Sequence, residues 1–247
     1  RKMAEAITAS QISSYLHFVA SDAMGGRDTP SQGLDITAEF IRMNLEKWGF
    51  KPAGDNGTFF QKIALARESI DPDKTKLEIA GKNYVMSDDF FRTSGSGTAS
   101  GPLVFGSNGW MVKAKGVDSF KGVDVKGKIV VIAGNGFSMR SITPMPAGVT
   151  EDDLKGEKGV DWADPMTHAQ NAGAAGVIVI APQQLQTNWA QLRNFLGRGS
   201  TYPEKLREGG TAGPTIPVML VSQPVGDSIF AGESGNKDSG AAFAINK

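Results

Sequence analysis

The stretch from Asp164 to Pro182, DPMTHAQNAGAAGVIVIAP, admits few structures. Asp164 can accept from the free N–H groups of a helix start, and the fixed φ of Pro165 suits the first helical position. Gly173 can take the left-handed conformation that ends a helix. Gly176 then opens Val177-Ile178-Val179-Ile180, a run apolar on both faces and therefore a buried strand. Two similar runs flank it: Lys128–Ala133 (KIVVIA) upstream, and Ile216–Val221 (IPVMLV) downstream. Strands without polar alternation must be covered on both sides. The three runs are therefore expected side by side in one buried sheet with flanking helices.

Around this centre the chain is punctuated clearly. Thr8 and Gln11 have the spacing of a capping box ahead of Ile12, Tyr15, Leu16 and Val19, which predicts a helix ending near Ala20. Met24 to Gln32 is a polar loop with Gly25-Gly26 and Pro30. A second helix is expected from about Asp35 to Trp48, with Ala38, Ile41, Leu45 and Trp48 on one face and Gly49 closing it. Phe59 to Leu65 alternates enough to be a strand. Further strands are expected at Lys76–Ile79 and Asn83–Met86 around a tight Ala80-Gly81-Lys82 turn, at Pro102–Phe105, and at Ala241–Ile245. Pro224 to Ala231 reads as a helix ended by Gly232. Gly134–Asp164 and Gln183–Gly213 are long segments that a minimal sheet does not explain, although Trp189, Leu192 and Leu196 are spaced as in a short helix.

Composition narrows the function. The 247 residues carry 26 Lys and Arg against 26 Asp and Glu, so no net field draws in nucleic acid or anionic lipid. No apolar run approaches a membrane span. The absence of cysteine removes disulfides, thiolate metal sites and cysteine nucleophiles. The two histidines, His17 and His168, lie in different expected elements, and neither sits in a metal-binding pattern. No GxSxG elbow is present. Ser94–Gly97 and Gly134–Gly136 read as turns, because no phosphate-binding pattern completes either. Asp88-Asp89 and Glu151-Asp152-Asp153 read as solvated charge, because neither has the glycine punctuation of a calcium loop. Trp110, Trp162 and Trp189 fall in or beside loops, where an aromatic more often covers a core than presents a platform.

The order VKGKIVVI … HAQNAGAAGVIVI … TIPVMLVS resembles the protease-associated domain, a non-catalytic module of several secreted peptidases and sorting receptors. The run from Phe18 to Leu65 resembles the N-terminal segment of the di-zinc aminopeptidases, metallopeptidase family twenty-eight. Its loop residues are Gly26, Arg27 and Gly33, and PAGDNGTFFQ at Pro52–Gln61 is its most specific part. The resemblance implies an α/β, β-rich fold: a closed or sandwiched β-sheet with short flanking helices, plus an N-terminal helical hairpin. It divides the chain into an N-terminal segment, 1–66, and a protease-associated domain, 67–247, with two long insertions.

The function so implied is that of a non-catalytic part of an exported zinc aminopeptidase-like protein, whose module covers the active-site cleft and restricts peptide substrates. The expected partners are the catalytic core of the same protein and the parent's peptide substrate. A homodimer through exposed helix faces is a further expectation, and no nucleic acid or membrane span is expected. Zinc is implied for the parent, with no cofactor, metal ligand or catalytic residue in this chain and no signal peptide in it. Arg27 is expected to tie the leader loop to the rest of the protein, and Trp189 and Arg193 are the expected substrate contacts on a rim. Two other readings stay open. One is a self-sufficient peptide- or glycan-binding module. The other is an insert of a subtilisin-like protease or sorting receptor, against which the leader helices and PAGDNGTFFQ argue.

Overall fold

The structure, a computed structural model, describes residues 7–133, 143–197, 199–207 and 215–247. The turn expected at Gly134–Gly136 lies outside them. Two compact units emerge: Arg1–Arg67 with Thr201–Gly209, and Glu68–Ser200 with Gly210–Lys247.

In the first unit, α1 spans Ala9–Val19 and α2 spans Gln32–Lys47. The α1 start is the expected capping box, with Thr8 accepting from Gln11 N and the Gln11 side chain accepting from Thr8 N. Helix α2 begins three residues earlier than the apolar stripe indicated, because the Ser31 hydroxyl accepts from Leu34 N and caps it. Edge-on and tilted ring contacts link the two helices: Tyr15 with Phe40 at 5.5 Å between centroids, and Phe18 with Phe40 at 4.6 Å. No α1 residue is fully buried, and Ile12, Leu16, Ile41 and Trp48 are all exposed. The strand expected at Phe59–Leu65 is not there. Strand β1 lies instead at Leu65–Glu68.

In the second unit, β2 (Leu77–Ile79) and β3 (Lys82–Tyr84) form a hairpin. Its turn places Ala80 and Gly81 at φ of 52° and 78°, both left-handed, as a tight hairpin requires. Next come β4 (Phe90–Ser94), β5 (Leu103–Phe105), β6 (Met111–Val112), β7 (Val117–Asp118), β8 (Ile129–Ala133) and β9 (Trp162–Ala163). Helix α3 (Pro165–Asn171) leads to β10 (Gly176–Ile180), followed by α4 (Gln183–Thr187) and α5 (Trp189–Gly197). From Thr201 the chain returns to the first unit, where β11 (Ser200–Pro203) pairs with β1 and α6 covers Glu204–Arg207. The chain then runs through β12 (Val218–Val221), α7 (Gln223–Phe230) and β13 (Phe243–Ala244).

The main sheet has six strands in the order β13-β5-β8-β10-β12-β4. The three apolar runs are its centre. Strand β10 is parallel to β8 on one side and to β12 on the other, with Val177 opposite Val130 and Val218. Strand β12 is shielded from the edge by antiparallel β4, whose place in the sheet the sequence did not reveal. Side chains alternate between two cores. Val104, Val130, Val179 and Leu220 meet α3 and α5 on one face, while Phe105, Val131, Ile180 and Val221 meet α7 and the hairpin on the other. The sheet is thus sandwiched, and each fully buried aliphatic side chain contributes about 1.5–3 kcal/mol relative to exposure. A smaller three-stranded sheet, β7-β6-β9, carries a third cluster around Trp110 and Val112.

Candidate functional site

Parallel strands deliver their following segments to one edge of a sheet, and that edge is where open α/β sheets bind ligands. Here the last residues of β5, β8 and β10, which are Phe105, Ala133 and Ile180, line a cavity of about 400 Å³. Met145 and Phe230 add apolar surface, and Asp227 stands at its margin. Its size falls in the range of small-molecule pockets, and its lining suits an apolar group beside a polar one.

The segment after β10 folds into α4 and α5 rather than an open loop, and it brings the two expected contacts together. Trp189 and Arg193 are four residues apart and share one helix face. Both donate to the same acceptor, the Ser87 carbonyl: Trp189 Nε1 at 3.1 Å and Arg193 Nε at 3.2 Å. Arg193 Nη2 also lies 2.6 Å from Asp88 Oδ1. The Trp189 ring sits 4.9 Å from that of Phe91 and is only 8% exposed, so it belongs to the core of the sheet. The Arg193 side chain is 48% exposed and stays accessible. Trp110 is likewise buried, with Nε1 donating to Thr143 Oγ1, whereas Trp162 is half-buried beside Lys158.

The two histidines lie in different units. His17 is exposed on α1, with Nδ1 2.8 Å from the Ser13 carbonyl. His168 stacks on Phe120 at 4.0 Å, and its Nδ1 is 3.0 Å from the Gly109 carbonyl. A carbonyl only accepts, so Nδ1 carries the proton. In the neutral ring Nε2 therefore presents a lone pair toward Asp118 Oδ1, 3.5 Å away. Burial lowers the His168 pKa below its ordinary value, and the Gly109 carbonyl and Asp118 only partly oppose it. The unfolded chain consequently binds this proton more readily than the folded one. The stability His168 contributes is complete above the ordinary value of 6.5 and is lost as pH falls through that value toward the folded pKa. Ring-proton NMR should give a midpoint below 6.5, and His168→Gln should flatten the acid side of the stability profile. A midpoint at or above 6.5 would contradict this account.

At the start of α3, Asp164 accepts from Thr167 N at 2.9 Å and lies 2.6 Å from Lys158. Burial pushes its pKa up, but Lys158 and the Thr167 N–H together hold it below the ordinary carboxylate value. The α3 terminus is as expected: Ala172 is the cap, and Gly173 follows at a φ of 78°.

In the leader loop, Gly26 has a φ of 83° and Arg27 a φ of 57°. Arg27 is half-buried, with no side-chain hydrogen bond or ion pair among the described residues. Gly33 packs so closely that an added Cβ would stand 1.8 Å from the Met24 carbonyl oxygen. The acidic runs are absorbed locally: Asp89 accepts from Val85 N, Asp153 from Thr150 N, and Asp152 pairs with Lys155. Among the described residues, no group of three or more His, Cys, Asp or Glu side chains is placed to hold a metal ion. No helix among them is long and apolar enough to cross a membrane.

The sequence profile of the PA domain matches residues 99–229. Two solved structures are similar. One is an aminopeptidase from Aneurinibacillus sp. strain AM-1, with 14% identity over 87% of this chain and 39% of that one, at a TM-score of 0.39. The other is a zinc aminopeptidase from Bacillus subtilis, with 16% identity over 94% of this chain and 43% of that one, at a TM-score of 0.32. The chain spans about two-fifths of the length of these proteins. No curated protein sequence matches it.

Proposed function

Because the chain belongs to the PA-domain family, we propose that it is the non-catalytic, substrate-facing part of an exported zinc aminopeptidase-like metallopeptidase. The observation carrying this reading is that the matched region, 99–229, runs from just before β5 to α7. It includes the central parallel strands and the helices that follow them. In this reading the PA domain narrows the cleft of the parent enzyme and favours peptide ends. Arg193, accessible on α5, is the proposed contact with longer peptides. The proposed partner is the catalytic part of the same protein, which would cover the exposed apolar residues of α1 and α2. A second copy of the chain is the alternative cover for those residues.

Zinc belongs to the parent in this proposal. A hydrolytic zinc site needs three protein ligands converging on one point, and the described residues do not fit that requirement. No catalytic step is therefore assigned to residues of this chain.

The test is direct. Purified protein should hydrolyse aminoacyl-p-nitroanilides no faster than buffer, with or without added zinc. Zinc-dependent turnover that co-purifies with the chain would overturn the reading.

A further inference from the structure

The face of the main sheet that carries Phe90, Phe105 and Ile180 is covered unevenly. Toward the carboxyl ends of the parallel strands, Val225, Ile229 and Phe230 of α7 seal it. Toward their amino ends a cleft of about 850 Å³ remains. Its floor is apolar and comes from four adjacent strands: Leu103, Ile129, Ile178 and Met219. Leu77 and Ile79 of the hairpin also line it.

Asp71, Lys74, Lys76, Glu78 and Lys247 also line the cleft, but on the main sheet itself the charged residue in the lining is Arg92. Arg92 of β4 is paired in register with Met219 and, two residues from Phe90, lies on the same face. It lines the cleft. Its Nη1 donates to the Gly95 carbonyl. Its Nε is buried and has no hydrogen-bond partner. No carboxylate among the described residues forms an ion pair with it. Asp71, also in the lining, lies 3.4 Å from Lys74, and Glu78 is exposed.

A buried guanidinium N–H without a partner is rare in a folded protein and calls for an explanation. The unused edge of Arg92 is the one formed by Nε and Nη2. Two parallel N–H groups on that edge match the two oxygens of a carboxylate. We propose that this cleft binds a carboxylate borne on an apolar body. The Nε–Nη2 edge of Arg92 takes the carboxylate, and Leu103, Ile129, Ile178 and Met219 take the apolar part. The C-terminal residue of a hydrophobic peptide and a medium-chain fatty acid both present this chemistry. The inference concerns the cleft of this chain alone and does not depend on the activity of a parent enzyme.

Three probes separate the possibilities: N-acetyl-leucyl-leucine, its C-terminal amide, and octanoate. Binding is followed by NMR through the Met219 methyl and the Arg92 Nε–H. The peptide acid should bind about tenfold or more tightly than the amide, the discrimination expected of a charge-assisted pair. Arg92→Met should abolish that preference while keeping the fold, because it removes an unpaired charge from an apolar surface. Arg92→Lys keeps the charge but loses the fork, so it should retain only part of the preference and serves as the second variant. Saturable binding by the peptide acid alone identifies a peptide end, by octanoate alone a fatty acid, and by both a general carboxylate site. Equal affinity for acid and amide together with no binding of octanoate would overturn the proposal, and so would an unchanged preference in folded Arg92→Met.

Discussion

Trp189→Ala should destabilise the sheet unit by about 3–5 kcal/mol, the usual cost of removing a buried aromatic ring. The indole packs at a tilt against Phe91 and donates to the Ser87 carbonyl, so the truncation opens a cavity and removes one donor at once. Trp189→Phe keeps a ring beside Phe91, and Arg193 still donates to Ser87, so that variant should cost only about 1–2 kcal/mol. Arg193→Ala removes a half-exposed ion pair and should cost at most about 1 kcal/mol. Urea unfolding of the three variants orders them. A loss below about 1 kcal/mol for Trp189→Ala would show that the ring is not part of the core. In a parent peptidase, Arg193→Ala should raise KM for longer peptides and leave single-residue substrates unaffected. Unchanged kinetics on both would remove Arg193 from the account.

Gly33→Ala should cost the helical unit about 3 kcal/mol, at the upper end of ordinary overpacking. The added methyl would meet the Met24 carbonyl oxygen at 1.8 Å, and a backbone oxygen cannot swing aside as a side chain can. Gly26→Ala is the control. Its φ of 83° is unfavourable for alanine, but no atom lies within 4 Å of the added Cβ. That variant should cost only the left-handed penalty of about 1–2 kcal/mol. Hydrogen exchange resolved by residue should place both effects in α1 and α2 and leave the β8-β10-β12 centre protected. A Gly33→Ala protein with wild-type protection in α2 would mean that the leader turn and the helix start are not packed as described.

These contrasts show which features were legible in the residues. The three central strands were, because a strand covered on both faces has to be apolar at consecutive positions. The helix termini at Thr8, Asp164 and Gly173 were, because each cap is made by groups a few residues apart. The resemblance to the PA domain was also legible in the order of the strands and of the glycines around them, and the family match covers residues 99–229.

What the sequence did not disclose depends on partners distant in the chain. A short strand exists only where another offers its backbone, so β1 formed at Leu65–Glu68 opposite Ser200–Pro203 rather than where alternation favoured it. The spacing of Trp189, Leu192 and Leu196 gave a helix but not the neighbour of each face. Burial of the Trp189 ring against Phe91, and exposure of Arg193 one turn later, were decided by how α5 lies on the sheet. Arg92 is the clearest case. Nothing in the sequence singles it out beside Phe90-Phe91. Only the pairing of β4 with β12 sets its guanidinium on an apolar floor with an edge unpaired. Local propensity and periodicity act over a few residues and were written in the sequence. Pairing and burial join residues far apart in it, and only the tertiary structure could decide them.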